Sequence, residues 1–163
     1  MSVLIVSCST LGPEDLVRDP SAPVQTHLLE YRLADNGIGN YELTIPWAYT
    51  NSGSTPVYYH PCSSRLEKKV DERWRRAFQT SCPLAGSLVD TIPSGAQFAG
   101  SFSIHACYVK NCEPRFSVTP IPGTYRVIPG FYARIELQSG SYIPRDSLSV
   151  ADRRSNDLWL YLP

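Results

Sequence analysis

The sequence lacks the short motifs that mark the commoner enzyme chemistries. No Gly-x-Ser-x-Gly elbow, no phosphate-binding glycine loop and no His-Glu-x-x-His pair occurs. Histidine is scarce, at three residues: His27, His60 and His105. No apolar run reaches the length of a membrane-spanning helix. Net charge is absent as well. Fifteen basic residues balance fifteen acidic ones, so no global field draws the chain to nucleic acid or to an anionic membrane. Sustained helical periodicity, internal repeats and low-complexity tracts are missing too. Together these absences argue against catalysis, against a cofactor and against a nucleic-acid partner.

What is present suits a sheet. A hydrophobic fraction of 42% in 163 residues supports one domain with a real core. Fourteen prolines and ten glycines are spread along the chain, which predicts frequent turns. Ten tyrosines and three tryptophans favour strands over helices. Residues 1–23 read as an apolar N-terminal segment, with Val3, Leu4, Ile5 and Val6 as its centre, followed by a Pro-rich linker. Residues 24–163 read as short strands at intervals of roughly ten residues. Candidates are Val24 to Leu33, Tyr41 to Thr50, Val57 to Tyr59, Leu66 to Val70, Trp74 onward, Leu88 to Ile92, Ala96 to Ala106, Arg115 to Val118, Thr124 to Ile128, Tyr132 to Gln138 and Leu158 to Leu162. Pro46 inside the second of these predicts an edge or a bulge there. Ser139 to Arg154 reads as irregular. The class is all-β, an antiparallel sandwich of about seven to nine strands with an N-terminal extension.

The stretch from Thr55 to Cys82 organises this pattern. Asp71 and Glu72 break it into two runs, and simple alternation sets Trp74, Arg76 and Phe78 on one side of the second run and Arg75 on the other. Cys62 and Cys82 are expected to staple the ends, closing a loop worth roughly 3 kcal/mol in chain entropy; the alternative is two reduced core cysteines. Cys107 and Cys112 would close a second, compact loop. Two disulfides in a small β-rich chain predict an oxidising, extracytoplasmic home, secreted or at the cell surface. His60-Pro-Cys62 and His105-Ala-Cys107 share a spacing that soft metals can use, but structural zinc sites pair their cysteines more tightly, so no metal is expected.

Two resemblances add to this reading. Ile5-Val6-Ser7-Cys8 resembles a bacterial lipoprotein box, which would make Cys8 the lipidated residue; a free thiol or an intermolecular disulfide are the other fates of this odd cysteine. The order of the pieces from about Tyr41 to Leu160 resembles an immunoglobulin-like domain of uncharacterised secreted proteins and lipoproteins of bacteria. The residues that carry it are Asn51, the paired cysteines Cys62 and Cys82, the Leu66…Trp74 hairpin, Ile92-Pro93-Ser94-Gly95, Pro122-Gly123-Thr124-Tyr125-Arg126 and Arg154-Ser155-Asn156. The hairpin turn departs from that pattern, with Glu72 where glycine is usual. The resemblance implies an immunoglobulin-like sandwich outside the cytoplasm and no particular ligand.

The expected function is therefore non-catalytic. The chain would work through protein contacts, as a subunit or decorating component of a cell-surface or filament assembly, its partner itself or another surface component. The segment Val3 to Val6 would pair with a neighbour. Alternatives are a monomeric binding module whose one membrane link is a lipid on Cys8, and a protease inhibitor presenting Lys110 at the tip of the Cys107–Cys112 loop. Candidate contact residues are Arg65, Lys69, Arg73, Arg75, Tyr108 and Lys110.

Overall fold

The computed structural model describes residues 16–80, 89–109, 111–138 and 141–163. Among them the regular structure is β, with one 3-10 turn at Pro61–Ser63. The strands are β1 (Val24–Thr26), β2 (Glu30–Arg32), β3 (Ala34–Asp35), β4 (Asn40–Thr50), β5 (Val57–Tyr59), β6 (Arg65–Val70), β7 (Arg73–Gln79), β8 (Asp90–Ile92), β9 (Gln97–Cys107), β10 (Gly123–Ile128), β11 (Phe131–Gln138), β12 (Ser141–Ser147) and β13 (Leu158–Tyr161). They form three sheets. In the first, β4 pairs along its whole length with β9, and with β1 and β3 on its other side. The second has five strands in the order β2-β13-β10-β6-β7, and the third runs β12-β11-β5-β8. Among the described residues the strand pairings are antiparallel except β2 with β13, which is parallel, as is the isolated bridge of Val24 to Ser155.

The sheets close on one core. Alternation buries Ile45 and Trp47 from β4, Phe102 and Ile104 from β9, Leu66 from β6, Tyr125 and Val127 from β10 and Leu158 and Leu160 from β13. Phe78 of the five-stranded sheet meets Phe102 of the first edge-on, with centroids 6.2 Å apart. Trp47 meets Tyr59 and Phe131 of the third sheet in the same manner, at 5.3 and 5.7 Å. These edge-to-face contacts add to the area the rings bury. The all-β sandwich expected from the sequence is therefore present, with thirteen short strands among the described residues where about seven to nine were expected.

Several expectations are corrected. Val24 to Leu33 is not one strand. The chain pairs with β4 through Thr26, then crosses to β13 at Glu30. Asn156 holds the crossing: its Oδ1 accepts the Thr26 N–H at 2.8 Å, and its own N–H donates to the Val24 carbonyl at 3.1 Å. Arg115 to Val118 is not a strand either. Its Phe116 ring packs on Phe78 and Tyr125, and the Ser117 N–H reaches the Ala77 carbonyl at 2.8 Å. Ser139 to Arg154 is less irregular than expected, since β12 lies within it. Pro46 sits inside a sheet, between the residues of β4 that pair with β1 and those that pair with β3. Its carbonyl accepts the His27 N–H at 3.1 Å, so its ring nitrogen lies on the same side, opposite the His27 carbonyl; the one ladder bond proline cannot donate is replaced by the Arg18 guanidinium, which donates to that carbonyl at 2.9 Å.

The hairpin turn also resolves. Asp71 and Glu72 both have positive φ, 49° and 61°, as the right-twisting two-residue turn between paired strands requires. Beyond it, β7 carries a bulge: Phe78 faces Leu66 and Arg76 faces Glu67, with Ala77 as the extra residue. The bulge shifts the alternation by one. Trp74 and Arg76 therefore lie on the outer side of the sheet and Phe78 on the core side, against the shared face expected from spacing alone.

Candidate functional site

The five-stranded sheet presents its outer side to solvent, and the residues there follow from register. On β6 the core takes Leu66, which turns Arg65, Glu67 and Lys69 outward. Arg126 of β10 pairs with Glu67, and Trp74 of β7 pairs with Lys69. On β13 the core takes Leu158 and Leu160, so Trp159 and Tyr161 face out beside Glu30 and Arg32 of β2. The result is a row of aromatic and guanidinium groups across the sheet.

Glu67 is the hub. Its carboxylate accepts from Arg65 on Oε1 and from Arg126 on Oε2, each at 2.7 Å, and the residue is only 7% exposed. Burial alone would raise its carboxyl pKa, but the hydrogen bonds from Arg126 and Arg65 outweigh that and hold it below the ordinary value. The Arg126 guanidinium also lies over the Trp74 ring, 4.3 Å from its centroid. At the other edge Arg32 stands over Tyr161 at 5.7 Å, and the Tyr161 hydroxyl donates to Glu30 at 3.1 Å. A shallow groove of about 370 Å³ opens between Glu30, Arg32 and Tyr161. Asp157 lies within electrostatic reach of Arg126 and Lys69; burial pushes its carboxyl pKa up, and those cations only partly offset the effect. Aromatic and arginine side chains preorganised by such contacts are the groups that dominate protein-binding hot spots.

The candidate residues divide. Arg65 and Lys69 belong to this face; Lys69 pairs with Glu72 at 2.8 Å. Arg73 and Arg75 are exposed on β7 but sit opposite Val70 and Lys68, on the other side of the strand. Tyr108 is elsewhere: its ring packs on Tyr41 at 4.7 Å and its hydroxyl donates to Asp35 of β3. Lys110 lies outside the described residues. The Cys107–Cys112 disulfide is formed. Cys62 is disulfide-bonded, and its expected partner Cys82 lies outside the described residues, as do Cys8, Val3, Leu4, Ile5 and Val6. Nδ1 of His60 is engaged by the Ser63 hydroxyl at 2.8 Å, and no metal-binding group of three ligands comes together among the described residues.

Sequence reading missed Arg126, Trp159 and Tyr161 as surface candidates. The signal was there in part: Thr124-Tyr125-Arg126 and Leu158-Trp159-Leu160-Tyr161 alternate, and a buried Tyr125 and Leu160 imply the others face out. The glutamate hub had no such signal, because it depends on which strands are neighbours.

No family model matches the sequence, and no curated protein matches it significantly. Among solved structures, the chain is similar to the Pseudomonas fluorescens alkylpurine DNA glycosylase AlkC, in a complex with DNA containing an abasic site analog. That match has a TM-score of 0.32 and 10% identity, and it covers 86% of this chain but 31% of the other. A likeness this loose carries no argument about fold or function. No helix among the described residues is long and apolar enough to cross a membrane.

Proposed function

We propose that this protein is a non-catalytic, extracytoplasmic binding module that works through protein contacts, with the outer side of the five-stranded sheet as its contact surface. The observation that carries the reading is the ordered row Trp74–Arg126–Glu67–Arg65, continued by Trp159, Tyr161 and Arg32. Its side chains are fixed before any partner arrives, so little rotamer entropy remains to be lost on binding. The Cys107–Cys112 disulfide supports an oxidising compartment. The strand order supports an immunoglobulin-like sandwich: β13-β10-β6-β7 runs as strands G-F-C-C′ do, and β1-β4-β9 as A-B-E.

The lipid-anchored alternative rests on Cys8 and is compatible with the same contact face. The inhibitor alternative draws less support. Asn111, next to Lys110, has φ 61°, which is not the extended backbone that a protease cleft accepts.

The test places a photo-crosslinking benzoylphenylalanine at Trp159 in the native source and a control at Val17, which is 80% exposed. A discrete adduct at 159, absent at 17 and diminished by Trp74→Ala, is the expected result. Equal labelling at both positions would remove the sheet face from consideration. The adduct's mass distinguishes a second copy from another surface protein.

A further inference from the structure

At one end of the sandwich, away from the outer sheet face, lies a cleft of about 380 Å³. Its walls come from the end of β4, the loop that follows and the turn at 148–152. Val57 and Leu148 supply apolar wall, while Thr55, Ser52, Tyr49 and Asp152 supply oxygen. No lysine or arginine lines it.

Tyr49 makes this more than a surface dent. The residue is only 6% exposed, and its ring is fixed against Phe131, with centroids 4.3 Å apart. Tyr49 lines the cleft; its hydroxyl makes no hydrogen bond to another described residue and is not sealed from water, so it is open to a ligand there. Burial raises the Tyr49 pKa, and the Asp152 carboxylate adds to the rise, so the two groups share one electrostatic environment. Asp152 uses Oδ2 to accept the Ser149 hydroxyl at 2.7 Å, which leaves Oδ1 open among the described residues.

We infer that this cleft binds a small alkylammonium ligand, its charged head held by Asp152 and the Tyr49 hydroxyl and its stem laid along Val57 and Leu148. An ammonium carries three donors and no acceptor. It matches a lining that offers a carboxylate and hydroxyl oxygens with no competing cation. An anion would meet the Asp152 carboxylate with no cation beside it in the lining, and a sugar would find no exposed aromatic platform, since the Tyr49 ring is occupied by Phe131. The site is independent of the sheet face.

The test is an NMR titration of the full chain with n-butylammonium, with butyrate and xylitol as parallel probes. Saturable shifts confined to the cleft are expected, at an affinity on the order of millimolar for so few heavy atoms. Asp152→Asn should weaken binding about tenfold or more, and Tyr49→Phe by roughly threefold. Both variants keep the shape of the original side chain, and thermal melts confirm that they fold. Trp159→Ala, on the sheet face, should leave this binding unchanged and separates the two readings. The inference is overturned by the absence of saturable shifts with butylammonium, by equal affinity in Asp152→Asn, or by tighter binding of xylitol or butyrate.

Discussion

Glu67 sits between two guanidiniums with little access to water, so its removal exposes a repulsion that the native protein never shows. In Glu67→Gln, Arg65 and Arg126 face each other without a counter-charge. Breaking such a buried group typically costs 3–5 kcal/mol; because both arginines keep an edge in solvent, about 3 kcal/mol is expected, read as a fall in the denaturation midpoint. The pH dependence follows from the direction of the shift. A carboxyl whose folded pKa lies below its unfolded value stabilises the fold above the unfolded pKa, near 4.5, and loses that contribution as pH falls through the folded pKa. Asp157 acts in the opposite sense. Its folded pKa is raised, so it weakens the fold at neutral pH and favours it as pH falls through the folded value. Melting curves from pH 7 to pH 3 should therefore flatten in Glu67→Gln and steepen in Asp157→Asn, which should also be more stable than the parent at pH 7. A parallel decline in all three would show that other groups govern acid stability. Gly100 makes a different residue-scale case. It lies directly across from Trp47, and a Cβ there would fall 2.3 Å from Trp47 Cζ2. The indole is fully enclosed by Tyr59, Phe98 and Phe131 and cannot retreat. Gly100→Ala should cost about 2 kcal/mol by overpacking, despite the entropy that alanine removes from the unfolded chain. Chemical denaturation measures it, and a neutral or stabilised variant would contradict this packing.

The β6–β7 hairpin shows what an element reveals in sequence and what it hides. Its two strands and its break at Asp71-Glu72 were legible, because hydrophobic and charged residues alternate on either side of a polar pair. The turn geometry was not, since glutamate at φ 61° goes against intrinsic preference. Glu72→Gly should relieve that strain and stabilise the protein by about 0.5–1 kcal/mol. The loss of the Lys69–Glu72 pair offsets little, because Glu72 is 82% exposed and such pairs contribute little. A loss of stability in that variant would mean that the turn is set by something other than backbone preference. The bulge at Ala77 had no sequence signal, and it reversed the assignment of Trp74, hence of much of the candidate face. Long-range partners hid the rest. Thr26 leaves its first sheet because of Asn156, 130 residues away. Strand β12 carries Pro144 and is exposed along most of its length, so no apolar alternation marks it. Phe116 and Val118 do alternate, but they cover the core from a loop.

At the scale of the whole molecule, the free edges and the exposed apolar residues constrain how copies can meet. Strand β12 is an edge, and adding a strand there is obstructed by Pro144, which has no donor, and by Asp146, whose φ of 53° breaks the extended line. Edge-to-edge growth is thus blocked at the longest outer strand of the third sheet. Apolar contact is not. Beyond Tyr132 the β11–β12 hairpin pairs with no other strand among the described residues, and it carries Leu137 opposite Tyr142, 68% and 43% exposed. At the other end of β4, Ile38 is 80% exposed beside Val109 and Tyr108 on the disulfide loop. The base of the hairpin packs on Tyr49, at the end of β4 away from Ile38 and roughly 30 Å from it along the strand, so the two patches belong to opposite ends of the molecule. Unlike surfaces at opposite ends favour head-to-tail contact, which does not close and grows as an open series. If copies associate through these two patches, as the assembly subunit expected from the sequence would, sedimentation velocity over a concentration series should show species that increase steadily in size without a stable dimer. Leu137→Lys, which leaves the core untouched, should return the protein to a monomer at the same concentrations. A discrete dimer that persists in Leu137→Lys would instead point to an isologous contact through the sheet face, and Trp159→Ala would then be the variant that dissolves it.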